Sequence, residues 1–231
     1  MRRKMTLPMT PERFAKLRRA LERRQPDLTV LADCVNKPHN VSAILRTADA
    51  VGIHRIHAVS ASGAMRRHHM IAGGVKSWVG LTLHASIERA LEALRADGWR
   101  LVAAHASPTA SDFRAVDYTA KVAVIVGAEL LGPSPAALEQ ADEHVAIPML
   151  GLGESVNVSV AAAVILFEAQ RQRAAAGLYD RPRLAAAELA HTLFEWCYPD
   201  VARRCRELGR PYPALADDGT MLENPLAKAA R

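Results

Sequence analysis

The strongest constraint on the fold is an alternation of short apolar runs with amphipathic helical segments between residues 28 and 176. The apolar runs are LTVLADCV, IHRIHAV, LTLH, WRLVAAH, VAVIVG and HVAIP. The intervening helical segments include NVSAILRTADAVG, SIERALEALRADG and SPAALEQAD. Strands that alternate with helices form parallel sheets, and continuous apolar strands indicate that helices cover both faces. The sequence therefore predicts an α/β fold with a parallel sheet.

The ends of the predicted helices carry their usual signals. Ser134 followed by Pro135 marks a helix start, and a long helix is predicted from about Asn157 to Ala176. Arg171 and Arg173 lie near its end, where cations complement the helix dipole. Glycines expected to adopt a left-handed C-cap follow three helices, at Gly52, Gly98 and Gly177.

The chain of 231 residues is long enough for one main domain with extensions. We expect this domain over residues 28–177. A basic helical extension precedes it over residues 1–27, and a helical extension follows over residues 178–231. In the first extension, Thr10 and Pro11 are predicted to begin a helix that runs to about residue 24.

The positive charge of the chain is concentrated at its start. Residues 1–27 contain nine Lys or Arg and three Asp or Glu, an excess that equals the formal charge of +6 for the whole chain. Such a helix is either a solvated basic face or a surface that binds phosphates. The arginines of interest there are Arg18, Arg19, Arg23 and Arg24.

Cysteine usage and hydropathy indicate a cytoplasmic protein. Cys34, Cys197 and Cys205 form no CxxC pair and are odd in number, which argues against a disulfide framework or a structural zinc site. Asn157 and Ser159 interrupt the longest apolar run, which is too short to cross a bilayer. We therefore expect no membrane span.

The segment GLGESV, from Gly151 to Val156, resembles a truncated dinucleotide fingerprint. The third glycine of GxGxxG is absent, and no convincing strand follows the helix. What remains is a glycine-bearing loop between a strand and a helix, where free backbone amides could meet a ligand.

Two further stretches place polar residues beside predicted strands. In NKPHNVSAILRTAD, Asn40 is well placed to cap the helix, and Arg46 interrupts its apolar sequence. The simpler interpretations are a cap for Asn40 and a surface salt bridge for Arg46. In IVGAELLG, Glu129 follows an apolar strand at the edge where open α/β sheets bind ligands, although it could equally be a turn or capping carboxylate.

The connection from residue 60 to residue 80 is long for a structureless loop and contains Arg66 and Arg67. No HExxH, GxxxxGK[ST] or GxSxG motif occurs in the chain. The hydrolase, zinc-enzyme and P-loop interpretations therefore lack their motifs, and we expect no metal.

Taken together, NKPHNVSAILRTADAVG, IVGAELLG and IPMLGLGESVNVSVAAAVILFEAQRQR resemble the three ordered motifs of the SPOUT superfamily of RNA methyltransferases. The flanking RRQPDLTVL and AGLYDRPRL resemble the members that methylate the 2'-oxygen of guanosine in tRNA. The resemblance implies a parallel-sheet fold with a C-terminal deep trefoil knot. It also implies S-adenosylmethionine as methyl donor, a homodimer, and a core and interface role for the last apolar helix.

The resemblance also implies roles for individual residues. Arg46 matches the family's catalytic arginine, and the polar set around donor and acceptor is Asn40, Glu129, Ser155 and Asn157. Donor contacts, mostly through the backbone, are expected near Ala104, Gly127, Ile147, Met149 and Val156. RNA contacts are expected from Arg18, Arg19, Arg23, Arg24, Arg66 and Arg67, with help from the arginines of RRCREL in the tail.

Three departures from the family pattern bear on substrate detail. The usual SLN is SVN here, and Glu154 stands where glutamine is more familiar. The residues after Glu129 are LLG, which lack the lysine often found there.

The resemblance implies methylation of guanosine 18 in the tRNA D-loop. Alternatives are ribosomal RNA or another tRNA position as substrate, and a non-catalytic RNA-binding module. The short N-terminal helix favours tRNA, because ribosomal RNA enzymes of the superfamily often carry a separate N-terminal RNA-binding domain.

Overall fold

The computed structural model of the chain describes residues 9–59, 78–128 and 131–225. The chain forms two compact units. The larger unit spans Gln25–Arg181, and the smaller one combines the chain up to Arg24 with the chain from Pro182 onward. The two terminal extensions, which were predicted as separate segments, belong to one unit.

The larger unit is built on a sheet of seven described strands, and every pair of neighbouring strands is parallel. The strand order is β3-β2-β1-β6-β4-β7-β5. The predicted parallel α/β sheet is therefore confirmed. The strands are β1 (Leu28–Asp33), β2 (Arg55–Val59), β3 (Gly80–His84), β4 (Arg100–Ala104), β5 (Ser111–Asp112), β6 (Val122–Val126) and β7 (Glu143–Ala146).

Helices cover both faces of this sheet. On one face, α2 and α5 pack on the apolar side chains of β1, β2 and β6. On the other face, the apolar cluster contains residues of α3 and α4 together with alternate residues of β1, β4 and β6. These helices are α2 (Pro38–Ala50), α3 (Ile87–Ala96), α4 (Pro135–Gln140) and α5 (Val158–Ala175). Within the described ranges, no helix is both long enough and apolar enough to cross a bilayer.

Most predicted helix ends are confirmed. Ser134 accepts a hydrogen bond from the Ala137 amide and Pro135 opens α4. Asn157 caps α5, which starts one residue later. The glycines that follow α2, α3 and α5 adopt the left-handed conformation expected of them, at Gly52, Gly98 and Gly177.

The predicted capping role of Asn40 is wrong. Helix α2 begins at Pro38, and Lys37 is its N-cap without a side-chain capping bond. Proline suits the first position of a helix because its φ is already helical and it has no amide hydrogen to leave unpaired. Asn40 therefore lies inside the first turn, where it is 1% exposed.

Arg173 lies in the last turn of α5, where its charge was expected to complement the helix dipole. Its side chain is fully buried, which was not predicted from the sequence. Its guanidinium donates to the backbone oxygens of Tyr118 (2.8 Å), Asp27 (2.9 Å) and Ala120 (2.6 Å). It also donates to the side-chain oxygens of Gln25 (3.0 Å) and Asp27 (2.6 Å). The end of α5 is thereby fastened to the segments that lead into the neighbouring strands β1 and β6.

The smaller unit contains α1 (Pro11–Glu22), α6 (Ala186–Cys197) and α7 (Pro199–Glu207). Thr10 caps α1 and Pro11 opens it, as predicted. Helix α1 packs on α6, and the tail returns to α1 at Gly219, where φ is +87° and an added Cβ would lie 2.6 Å from the Phe14 ring. The tail was predicted to be an appendage without a core, but Phe194, Trp196 and other apolar side chains of this unit are buried.

We expect Arg173→Met to destabilise the larger unit strongly. The substitution leaves the Asp27 carboxylate and several backbone oxygens without their donor, a loss worth roughly 3 to 5 kcal/mol for a broken buried pair. Urea unfolding followed by circular dichroism measures this change. Arg171→Met is the matched control, since Arg171 is exposed and pairs with Glu168 one turn away at 2.7 Å. A loss in Arg173→Met no larger than in the control would contradict the anchoring role.

Candidate active site

A cavity of about 300 Å³ lies at the carboxyl ends of β4, β6 and β7, which are neighbours in the sheet. The loop that follows β7 and the first residues of α5 complete its wall. Open α/β sheets commonly bind ligands at this edge. Its lining residues are Ala104, His105, Ala106, Val126, Gly127, Ala128, Leu131, Gly132, Pro133, Val145, Ala146, Ile147, Met149, Glu154, Ser155, Val156, Val158 and Ala161.

The structure brings the predicted donor-contacting residues together at this cavity. Ala104 ends β4, Gly127 follows β6 and Ile147 follows β7, so the sheet order places all three at one edge. Met149 and Val156 lie on the loop before α5 and also line the cavity.

Gly127 is required by a close approach of the backbone. Ala128 and Gly132 exchange two backbone hydrogen bonds, of 3.0 and 2.9 Å, which bring the chain back onto the end of β6. A Cβ atom at Gly127 would lie 1.8 Å from the carbonyl carbon of Gly132. The buried Asp33 carboxylate accepts a hydrogen bond of 2.8 Å from the Ser134 amide and braces the same turn. Any side chain at Gly127 would therefore displace this wall of the cavity.

The predicted polar residues fall into two groups. Ser155 lines the cavity, next to the exposed Glu154. Asn40 and Asn157 join the starts of α2 and α5, since the Asn157 side-chain amide donates to the Asn40 oxygen at 3.2 Å. The Asn157 side-chain oxygen caps α5 by accepting a hydrogen bond of 2.8 Å from the Ser159 backbone amide. The two asparagines thus tie the entrances of the two helices to each other.

Arg46 lies on the exposed side of α2 and is not among the described residues that line the cavity. Its simpler interpretation was a surface salt bridge, but no ion pair joins Arg46 to another residue in the described ranges. Glu129, Arg66 and Arg67 lie outside the described residues.

Sequence reasoning missed His105. It directly follows β4, donates its backbone N–H to the Val145 oxygen at 3.0 Å and lines the cavity. Its ring meets the His144 ring edge-on, with centroids 5.9 Å apart. The available signal was its position, because the residue after a strand of a parallel sheet lies at the carboxyl edge.

Two histidines with a lowered pKa, His57 and His84, lie on β2 and β3. Burial, followed by the neighbouring His84 and Arg55, lowers the pKa of His57 to about 4. Ring nitrogens of His57 and His84 lie 2.9 Å apart on β2 and β3. In the sheet, β1 and β6 separate these two strands from β4 and β7. Among the residues that the structure describes, no group of three His, Cys, Asp or Glu could hold a metal ion.

The predicted RNA-contacting residues of α1 differ in exposure. Arg18, Arg19 and Arg23 are exposed, and Arg18 pairs with Glu22 at 2.8 Å. Arg24 is only 2% exposed, and its guanidinium lies 5.1 Å from the centre of the Trp196 ring. Arg24 is therefore an internal residue of the smaller unit, and the Trp196 ring is one of its neighbours.

Comparison with known families gives two matches that together cover most of the chain. The SpoU rRNA methylase family matches residues 27–167, and the C-terminal region described as SpoU, rRNA methylase, C-terminal, matches residues 171–224.

Individual relatives are similar over most of their length. The tRNA (guanosine(18)-2'-O)-methyltransferase of Escherichia coli K12 is 46% identical over 213 residues, which cover 91% of this chain and 93% of the relative. The enzyme of the same name from Thermus thermophilus is 50% identical over 187 residues, or 81% of this chain and 96% of the relative.

Solved structures are similar as well. The crystal structure of the Aquifex aeolicus TrmH/SpoU tRNA modifying enzyme superposes with a TM-score of 0.73 at 40% identity, covering 82% of this chain and 97% of that one. The AdoMet-bound rRNA methyltransferase of Sinorhizobium meliloti gives a TM-score of 0.55 at 30% identity, covering 67% and 59%. By its motifs, its sheet and these similarities, the chain belongs to the SpoU methylase family of the SPOUT superfamily.

Proposed function

We propose that this protein transfers a methyl group from S-adenosylmethionine to the 2'-oxygen of guanosine 18 in the D-loop of tRNA. The observation that carries the proposal is the convergence of Ala104, Gly127, Ile147, Met149 and Val156 on one cavity at the carboxyl edge of the sheet. Relatives that bear this activity in their names are 46 and 50% identical to the chain.

The cavity suits this donor. Its described lining offers the main chain after three strands, apolar side chains for a planar base, and the Glu154 carboxylate for a cationic ligand. The donor, when bound, supplies an electrophilic methyl group. The protein's own contribution is to hold the donor by backbone groups around Gly127 and Ile147 and to exclude water from it.

The acceptor must be activated by other residues. A ribose 2'-hydroxyl is a weak nucleophile at neutral pH, so its proton must be removed while its oxygen is aligned with the methyl group. Arg46 stays protonated and is a poor base. In our proposal, Arg46 holds a substrate phosphate and the hydroxyl together, and the phosphate or a bound water accepts the proton. Asn40, Ser155, Asn157 and Glu129 complete the polar surroundings.

The direct test is incubation of the purified protein with labelled S-adenosylmethionine and unmodified tRNA, followed by nucleoside mapping. We expect label in 2'-O-methylguanosine from the D-loop. Label at another tRNA position, or only in ribosomal RNA, would overturn the substrate while keeping the chemistry. Absence of label with either RNA would favour a non-catalytic RNA-binding module.

Arg46→Lys is expected to lower the methylation rate constant by roughly 10- to 150-fold. Lysine keeps the charge but loses the planar two-pronged donor, and one lost hydrogen bond to a charged group costs about 1.5 to 3 kcal/mol. Single-turnover kinetics with saturating donor measures this constant. Arg89→Lys is the control, because Arg89 is exposed on α3 and pairs only locally with Glu92 at 2.9 Å. A rate close to that of the control would refute the need for a guanidinium.

We also propose that the functional protein is a cytoplasmic homodimer with the family's C-terminal trefoil knot. An exposed apolar face on α5 supports the dimer, since Val160, Val164 and Phe167 share one side of the helix and are 47, 36 and 51% exposed. Leu150 and Leu152, on the loop before α5, are fully exposed. Several exposed large apolar side chains in one part of the chain often mark an interface.

Phe167→Glu should convert the dimer into a monomer, because it places a charge within the proposed apolar interface. Light scattering coupled to gel filtration would then give a mass near 25.1 kDa instead of twice that value. Leu222→Glu changes another exposed apolar residue, in the smaller unit, and should leave the mass unaltered. A monomeric unmodified protein would overturn the dimer.

The charge distribution supports α1 as the surface that binds tRNA. Residues 1–24 carry nine Lys or Arg and two Asp or Glu, whereas the larger unit contains 14 basic and 15 acidic residues. The arginines of α7, which were expected to assist, are paired instead: Arg203 with Asp200 and Arg204 with Glu207 at 3.0 Å, and Arg206 with Glu195. Cations without a nearby carboxylate are better placed to replace the counterions of RNA phosphates.

Arg19→Ala should weaken tRNA binding and lower the slope of log affinity against log salt by about 0.7 to 0.9, the value for one lost phosphate contact. Filter binding over a salt series measures both quantities. Arg203→Ala removes the same charge from α7, where Asp200 already neutralises it, and should change the slope little. Equal effects of the two substitutions would contradict a surface specific to α1.

A further inference from the structure

The proposed donor cavity carries one carboxylate among its described lining residues, that of Glu154. No Lys or Arg belongs to this described lining, which also contains His105. Glu154 is exposed on the loop before α5 and forms no ion pair with another residue in the described ranges. Its charge is therefore available to a ligand.

The methyl donor and its product differ in charge at one atom. In the transfer, the bond between sulfur and the methyl carbon breaks while a bond between that carbon and the ribose oxygen forms. The electron pair of the broken bond stays on sulfur, and the hydroxyl proton leaves to its acceptor. The positive sulfonium of S-adenosylmethionine thus becomes the neutral thioether of S-adenosylhomocysteine, whereas the amino-acid end is unchanged.

We propose that Glu154 makes the cavity prefer the methyl donor to the spent product. This inference rests on the proposed function, because it assigns S-adenosylmethionine to this cavity. A carboxylate attracts the sulfonium but has no such interaction with the thioether. At separations of several ångströms in a partly solvated site, this attraction corresponds to roughly a 3- to 10-fold difference in affinity.

The surroundings of Glu154 strengthen the effect. Much of the cavity wall is apolar, with Val126, Ile147 and Val158 among its residues, and apolar groups screen a charge less than water does. The amino-acid end of the ligand is common to donor and product, so its interactions cancel in the ratio of the two affinities. That ratio consequently reports on the sulfonium.

The preference has a kinetic consequence. After each transfer the product must leave before a new donor binds, and the attraction that held the donor disappears with its positive charge. Glu154 would therefore reduce inhibition by accumulated product without any movement of the chain.

The test is isothermal titration calorimetry of the whole protein with three ligands: S-adenosylmethionine, S-adenosylhomocysteine and sinefungin, whose amine replaces the methyl sulfonium by another cation. We expect Glu154→Gln to weaken the two cationic ligands by roughly 3- to 10-fold and to change the neutral product by less than about twofold. Glu139→Gln, which removes an exposed carboxylate from α4 outside the cavity, is the control and should leave all three affinities unaltered.

A second measurement needs no substitution. Raising the salt from about 50 to about 500 mM should shrink the donor-to-product affinity ratio of the unmodified protein, because salt screens charges exposed to solvent.

In the calorimetry, an unchanged donor-to-product ratio in Glu154→Gln, including an equal loss for all three ligands, would overturn the inference while leaving the proposed function intact. Failure of the unmodified protein to bind S-adenosylmethionine at all would overturn both.

Discussion

The buried guanidinium of Arg173 is the interaction on which the architecture of the larger unit depends. An unpaired buried charge is very costly, so this arginine is tolerated only because the Asp27 carboxylate and four other oxygens receive its hydrogens. These oxygens precede β1 and β6, two adjacent strands near the middle of the sheet. One side chain thereby sets where the last helix of the unit ends relative to its central strands.

Helix α5 connects the Arg173 contacts to the wall of the cavity. Its 18 residues span about 27 Å at 1.5 Å per residue. The helix runs from Asn157, near the carboxyl ends of the strands, to Arg173, near the amino ends of β1 and β6. At the Asn157 end, the hydrogen bond to Asn40 aligns the starts of α5 and α2. The loop that lines the cavity leads directly into this end. A rigid helix held at both ends thus positions a loop that has few bonds of its own.

The sequence predicted the sheet and the helices, and part of the cavity lining, but it did not predict the burial of several charged side chains. Strand and helix patterns are local, so the alternation and the caps at Thr10 and Ser134 could be seen directly. The donor-contacting residues were named from the resemblance to a family, since contacts expected through the backbone leave little trace in side-chain identity. The burial of Arg173 and Arg24 could not be predicted, because their partners are distant in the chain. Likewise, β5 has only two residues, too few to produce a period.

The close approach at Gly127 has a consequence for how this site can change over time. A pocket whose shape comes from main-chain contacts places weak demands on most of its side chains, so Ala104, Ile147 and Met149 can drift to other residues while the same main-chain groups persist. Gly127 has no such latitude, because even one methyl group would overlap the Gly132 carbonyl. Distant descendants of this chain should therefore differ widely around the pocket and still share this one residue.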